Sequence, residues 1–279
     1  MRPGDARPPP RARRGATSRH EVDRAPGSGT EILATERPGS FLVRVDGRDQ
    51  SLVDLEDPSR LAFDYVRRLG DVLDAVAEPG TPVRVLHVGG AGLTLPRYVA
   101  ATRPTSWQVV LEPDADLTAR VREELPLPRR SGIRVRAVDG RAGLSALRED
   151  SVDVVVLDAY VDGRVPEGLV TAEAVEAMAR VVGPGGRVLL NLADRAPFPL
   201  VRDAVAGLRQ RFASLLVSAE PATLKGRRAG NVLVVAGPDE APLALLARRA
   251  ATSAAPYRVL RGAEVGSAFG GGSARHDPT

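Results

Sequence analysis

Apolar runs alternate with helical patterns along most of the chain beyond residue 82. Runs of four to six apolar residues between Gly, Pro or polar turns are typical of strands buried on both faces of a parallel sheet. The segments between them carry apolar residues at spacings of three and four, which predicts amphipathic helices. An α/β domain is therefore expected. Its seven predicted strands cover residues 83–88, 108–111, 133–138, 152–157, 187–192, 214–218 and 232–236. Its predicted helices cover residues 93–101, 115–125, 143–148, 171–181, 200–212 and 242–251.

A smaller unit precedes this domain. Residues 40–45 and 51–55 flank Asp46-Gly47, a dipeptide that favours tight hairpin turns. The pattern predicts a small β-hairpin module over residues 31–58. A helix over residues 59–76 is expected to open the main domain, which extends to residue 252.

Both ends of the chain lack apolar periodicity. Residues 1–30 are expected to be disordered and dispensable. The C-terminal extension, residues 253–279, is expected to be disordered from about residue 266. No apolar signal-peptide region follows the N-terminal arginines, so a cytoplasmic location is expected. The chain has no run of about eighteen apolar residues, so no membrane span is expected.

The composition of the chain excludes several kinds of functional site. The 279 residues include no Cys and three His, which excludes thiol nucleophiles and iron–sulfur clusters and predicts no metal site. Residues 1–30 hold seven Arg and three acids, and this difference of four equals the net charge of +4. The rest of the chain is neutral and aromatic residues make up 4%, so no nucleic-acid surface is expected.

The first candidate site residues follow the first two strands of the main domain, because ligands of such sheets bind at the carboxyl ends of the strands. Gly89, Gly90 and Gly92 form a turn in which small residues let a ligand approach the backbone; a purely structural turn is the alternative. Glu112 ends the next strand, twenty positions after Gly92. That spacing suits a carboxylate that accepts hydrogen bonds from a nucleoside ribose, and a solvated loop acid is the alternative.

Two further strands end in acids. Asp139-Gly140 either reads an adenine edge or only forms a turn. Asp158 follows the apolar run 154–157, and partial burial would raise its pKa and suit it to proton abstraction. Tyr160 and Asp162 follow on a loop that would cover the site, although Asp162-Gly163 also suits a turn. His87, flanked by core residues, is expected to be a core histidine.

Several short motifs occur in a set order within residues 40–240. They are Val45-Asp46-Gly47-Arg48-Asp49-Gln50, Gly89-Gly90-Ala91-Gly92, Leu111-Glu112-Pro113-Asp114, Val138-Asp139-Gly140 and Leu157-Asp158-Ala159-Tyr160-Val161-Asp162. This order resembles the spermidine synthase family of polyamine aminopropyltransferases.

The resemblance implies a Rossmann-like methyltransferase fold with a seven-stranded, mostly parallel sheet behind a small N-terminal β module. It implies decarboxylated S-adenosylmethionine as the donor and an amine such as putrescine as the acceptor. It places Gln50 and the glycine turn at the cofactor, Glu112 at its ribose, and Asp139 with Gly140 at its adenine. Asp158 would take a proton from the attacking amine. Tyr65, Tyr160 and Asp162 would face the acceptor.

The chain also departs from the family pattern. Ala91 stands where the family carries an Asp that holds the ammonium of the donor's propylamine group. Phe63-Asp64-Tyr65 replaces a Tyr-His-Glu stretch, and Asp162 lies one residue later than the family's second loop acid. The nucleoside half therefore matches better than the acceptor half. An S-adenosylmethionine-dependent methyltransferase and a non-catalytic ligand-binding protein stay open as alternatives. The expected partner is a small-molecule amine, with a homodimer as an allowed assembly.

Overall fold

The computed structural model describes residues 29–238 and 243–278, which form two sheets and the helices around them. A three-stranded antiparallel sheet comes first and an eight-stranded mixed sheet follows. The expected disorder and dispensability of residues 1–28 lie outside the described residues and stay predictions. Within the described ranges, no helix is long and apolar enough to cross a membrane.

The N-terminal sheet, which we call the β module, contains β1 (Thr30–Ala34), β2 (Ser40–Val45) and β3 (Arg48–Asp54). Asp46 and Gly47, with φ of 48° and 73°, close the predicted hairpin between β2 and β3. The prediction missed β1, a five-residue strand paired along β2. The Gly29 amide also donates a hydrogen bond of 2.7 Å to Asp46. The predicted disorder is therefore wrong for residues 29 and 30, which are held by this sheet.

The large sheet has the order β11-β9-β10-β8-β7-β4-β5-β6. Its strands are β4 (Arg84–Val88), β5 (Trp107–Leu111), β6 (Ile133–Arg136), β7 (Val154–Leu157), β8 (Arg187–Asp194), β9 (Ser214–Ala219), β10 (Gly230–Gly237) and β11 (Arg258–Arg261). The strands from β6 to β8 pair in parallel, and the pairings of β8 with β10, β10 with β9 and β9 with β11 are antiparallel. The sheet thus has eight strands rather than the seven predicted. The prediction missed β11 because it is a four-residue edge strand with Arg at both ends and no apolar run.

The helices cover both faces of this sheet. They are α1 (Asp64–Val76), α2 (Thr94–Thr102), α3 (Ala115–Glu124), α4 (Gly140–Ala146), α5 (Ala172–Val182), α6 (Pro199–Leu208), α7 (Pro221–Leu224), α8 (Leu243–Thr252) and α9 (Ala263–Phe269). One core joins Leu86 and Val88 to Met178 and Val201, and the other joins Val85 to helices α1, α2 and α8. Side chains of β4 therefore alternate between the two cores, because successive residues of a strand point to opposite faces of the sheet.

Two helices begin elsewhere than predicted. Helix α1 starts at Asp64 and not at residue 59, because Asp57 accepts hydrogen bonds from Ser59 and holds a turn there. Helix α4 starts at Gly140 and not at residue 143, because the Asp139 carboxylate caps it. A polar cap decides the start of α4, whereas the N-cap residue of α1, Phe63, makes no side-chain hydrogen bond.

The C-terminal segment, residues 263–278, is ordered, which corrects the expectation of an unstructured end from about residue 266. Val265 and Phe269 of α9 are buried, with 1% exposure each. Beyond the helix, Arg275 donates to Asp203 at 2.8 Å, and Asp277 accepts from Thr171 at 2.8 Å and from Arg141 at 2.6 Å. These contacts hold a segment whose composition carries no periodic signal.

We expect deletion of residues 273–279 to lower the melting temperature, because it removes the partners of Asp203, Thr171 and Arg141. Loss of several partly buried charged hydrogen bonds in a domain of this size predicts a fall of roughly 3 to 10 °C. Asp277→Asn, which keeps the shape of the side chain, should give a smaller fall. An unchanged melting curve for the deletion would contradict this account.

Candidate functional site

A cleft of about 270 Å³ opens at the carboxyl ends of the parallel strands, between the large sheet and the β module. Each strand end predicted to carry a ligand residue contributes to its lining. The lining segments include Val45–Gln50 in part, Gly89 to Ala91, Glu112 to Asp114, Asp139 with Gly140, and Asp158 to Asp162. The structure therefore brings the nucleoside candidates Gln50, Glu112, Asp139 and Gly140 to one place. Their roles toward a ligand stay predictions.

The glycine turn has two different parts. A Cβ on Gly89 would lie 2.3 Å from the carbonyl oxygen of Asp158, so only glycine fits between these strand ends. Gly89 and Gly90 line the cleft. Gly92 does not: a Cβ there would lie 2.8 Å from Ser51 and Val53 of the β module. The predicted contact of Gly92 with a cofactor therefore stays a prediction, and what the structure shows is that its missing side chain lets the β module pack on the turn.

Glu112 joins the end of β5 to this turn. Its Oε2 accepts from the amides of Gly90 at 3.0 Å and Ala91 at 3.2 Å, and its Oε1 accepts from the Asp114 amide at 3.1 Å. A carboxylate has about four acceptor positions, so the oriented side chain keeps acceptor capacity for a hydroxyl. The position fits a ribose-binding acid better than a solvated loop acid.

Asp139 is the N-cap of α4. Its Oδ1 accepts from the amides of Arg141 at 2.8 Å and Ala142 at 3.1 Å. Asp139 therefore has a local structural role as a helix cap, where a turn was the expected alternative. Asp139 and Gly140 also line the cleft. The second carboxylate oxygen of Asp139 makes no hydrogen bond within the described chain, which leaves it for a ligand donor.

Asp158 ends β7 at the inner side of the cleft. Burial raises the pKa of its carboxyl from 3.8 to about 6, and a hydrogen bond from Asn191 opposes that rise. The Asn191 amide nitrogen lies 2.9 Å from Oδ1 of Asp158. Asn191 is a site residue that the sequence reasoning missed. The available signal was a lone amide inside the apolar run of β8, where an unpaired polar group would be costly.

A recess of about 40 Å³ continues from the cleft, beneath Asp158. Tyr65 and Tyr160 line it together with Gln50, and burial raises the pKa of both phenols above its usual value. The Tyr160 hydroxyl donates to the Asn191 carbonyl at 2.9 Å. Two of the predicted acceptor residues therefore lie at the recess, whereas Asp162 lines the outer cleft.

His87 also borders the recess, but it is a core residue, as expected. Its Nε2 lies 2.9 Å from the Gln108 side-chain oxygen. Burial lowers the pKa of the imidazole to about 4, so it is neutral near pH 7. A neutral, hydrogen-bonded ring explains its presence without any ligand.

The cleft is strongly acidic. Its lining acids are Asp46, Glu112, Asp114, Asp139, Asp158 and Asp162, and the one lining cation among the described residues is Arg48. Such a field attracts cationic ligands. In the described ranges, no group of three or more His, Cys, Asp or Glu has the geometry to hold a metal ion. The arrangement can bind a sulfonium or an amine and accept a proton.

Comparisons with known proteins give structural matches only. No family model matches the chain, and no curated protein is significantly similar to it. A probable spermidine synthase from Corynebacterium glutamicum is 26% identical with a TM-score of 0.83, covering 91% of this chain and 98% of that chain. The spermidine synthase from Thermotoga maritima is 15% identical with a TM-score of 0.56, covering 86% of this chain and 81% of that one.

Human methyltransferase-like protein 13, solved in complex with SAH, is 19% identical with a TM-score of 0.55 and covers 67% of this chain and 90% of that chain. Together these matches confirm that the chain has a spermidine synthase-like Rossmann fold. The resemblance inferred from the motifs is confirmed.

We predict that Glu112→Ala weakens binding of S-adenosylhomocysteine by roughly 1.5 to 3 kcal/mol, the scale of hydrogen bonds to a charged group. Isothermal titration calorimetry measures the change. Asp116→Asn is a matched control, because Asp116 is an exposed acid of α3 that does not line the cleft. Unchanged affinity for Glu112→Ala would exclude Glu112 as a nucleoside ligand.

Proposed function

We propose that the protein is a transferase that moves a carbon group from an S-adenosyl sulfonium donor to an amine, with aminopropyl transfer to an amine such as putrescine as the leading reaction. The observation that carries the proposal is the partly buried Asp158 carboxylate beside the glycine turn of an acid-lined cleft. A base next to a nucleoside site is the arrangement that amine alkylation needs.

The described residues fit an S-adenosyl group. Glu112 would accept from the ribose hydroxyls, and Asp139 with Gly140 would face the adenine. Gly89 lets the ends of β4 and β7 approach each other, because a Cβ there would collide with the Asp158 carbonyl, and this approach places Asp158 beside the glycine turn. When bound, the donor supplies an electrophilic carbon next to a positively charged sulfur.

The chain's own contribution to the chemistry is a proton acceptor. An alkylammonium cannot attack until it loses a proton, and Asp158 is ionised above a pH of about 6. The Asn191 amide fixes one carboxylate oxygen, so the other oxygen is available to the incoming amine. Tyr65 and Tyr160 provide aromatic faces and exclude water beside it.

Methyl transfer from S-adenosylmethionine is the second candidate. The observation that favours it is Ala91, which lines the cleft without a carboxylate for a propylamine ammonium. The same donor site and the same base serve both reactions, so the geometry of Asp158 does not separate them. A ligand-binding protein without catalysis is the third candidate.

Mass spectrometry separates these candidates. The purified chain is incubated with putrescine and either S-adenosylmethionine or its decarboxylated form, with product masses as the readout. We expect an aminopropyl adduct with the decarboxylated donor. Methylated product from S-adenosylmethionine instead would support the second candidate, and binding of both donors without any product would support the third.

Asp158→Asn keeps the shape of the side chain and removes its basicity, so turnover should fall by about a hundred- to ten-thousand-fold while nucleoside affinity persists. In the native chain, kcat/KM should rise with pH up to about 6 and then level, because Asp158 acts only when ionised. The variant should lack this rise. Full turnover of the variant, or a rise that it retains, would show that Asp158 is not the base.

A further inference from the structure

Arg48 is the cation at the mouth of the acidic cleft. It is the first residue of β3, directly after the Asp46-Gly47 turn, and it lines the cleft beside Gln50. Its guanidinium extends across the mouth toward the loop after β7. A Cβ on Gly163 would lie 2.9 Å from Nη1 of Arg48, so the glycine leaves the space that the guanidinium occupies.

Gly163 belongs to a second Asp-Gly turn that faces the first. Val161 and Arg164 form an isolated antiparallel bridge, and Asp162 and Gly163 between them have φ of 51° and 73°. These values nearly match those of Asp46 and Gly47, at 48° and 73°. Two tight turns of the same kind therefore approach each other over the cleft, with the Arg48 guanidinium between them.

Within residues 29–238 and 243–278, the side chain of Arg48 makes no hydrogen bond or ion pair, although acids line the same cleft. Arg44, in the same module, differs: its Nε is 2.8 Å from Asp49. A guanidinium has five N–H donors in a planar fork and cannot lose its charge. Arg48 therefore presents a complete, unused anion-binding group to the cleft.

A carboxylate is the anion that best fits this fork, through two parallel hydrogen bonds. Ala91, which also lines the cleft, supports this choice, because it offers no carboxylate to a bare ammonium. The cleft thus has a free cation and lacks that acid, a combination suited to an α-amino acid group rather than to a simple alkylamine.

We propose that Arg48 binds the carboxylate of an amino-acid ligand in this cleft, belonging either to the sulfonium donor or to the amine acceptor. The inference rests on the proposed transferase function and changes its leading reaction, because it replaces either the decarboxylated donor or the diamine acceptor with a carboxylated molecule. In the first case the donor is S-adenosylmethionine with its carboxylate intact, and in the second the acceptor is a basic amino acid rather than a diamine.

In the donor case, the acceptor amine attacks the methionine chain of the sulfonium donor. The acceptor nitrogen forms a bond to the γ-carbon while the bond from that carbon to sulfur breaks. The bonding pair goes to sulfur and methylthioadenosine leaves. The proton of the acceptor nitrogen goes to Asp158, and the group transferred is 3-amino-3-carboxypropyl.

Calorimetry tests the donor case with S-adenosylhomocysteine and its decarboxylated analogue, which differ only in the carboxylate. We expect the native chain to bind the carboxylated form about tenfold or more tightly. Arg48→Gln should abolish that preference and leave affinity for the decarboxylated form unchanged, and Arg48→Lys should restore part of it. Arg44→Gln, which removes a cation outside the cleft, is the matched control.

Kinetics test the acceptor case with ornithine and putrescine, which also differ by one carboxylate. A preference for ornithine that Arg48→Gln abolishes through KM, without a donor preference, assigns the carboxylate to the acceptor. If Arg48→Gln alters discrimination in neither pair, the inference is overturned. That result leaves the proposed function standing, whereas failure of the native chain to bind either nucleoside overturns both.

Discussion

The close contact between Gly89 and the Asp158 carbonyl is the constraint on which the site depends. Strands β4 and β7 are parallel neighbours, and their ends approach until a Cβ on Gly89 would lie 2.3 Å from that oxygen. A side chain here would force the two strand ends apart. The separation would move the Asp158 carboxylate away from the glycine turn, so the proposed base and the proposed nucleoside site could no longer serve one reaction.

The β module depends on the next part of the same turn. Gly92 donates its amide to Ser51 at 3.1 Å, and its lack of a side chain lets Val43 and Val53 pack against the turn. Val43 and Val53 also form a small core with Leu117 and other residues of α3. This packing holds Gln50 and Arg48 over the cleft. Gly92 thus shapes the site without lining the cleft. Sequence reasoning assigned it to the ligand because it belongs to the same turn as Gly89 and Gly90.

The parts of the fold that could be predicted are those with a periodic apolar signal. Buried strands such as β7 are continuous apolar runs, so the acid that follows each run was found together with its strand. Strand β1, strand β11 and the C-terminal segment carry no such signal, because edge pairing and individual polar contacts hold them. Asn191 was missed for a related reason: its partner Asp158 lies 33 residues away in the chain.

The acids of the cleft differ in the hydrogen bonds that their carboxylates already accept. This difference distinguishes the acids that are held in a fixed direction from the acid proposed to take up a proton. Asp46, Glu112, Asp114 and Asp139 all accept hydrogen bonds from backbone amides, which fix the direction of their carboxylates. They provide a steady negative field around a cationic ligand. Asp158 differs in that its carboxylate has no backbone donor within the described residues, and partial burial raises its pKa to about 6. A carboxylate in that environment takes up a proton more readily than a solvated one, and in the proposed reaction the negative field around it would retain the cationic amine that supplies the proton.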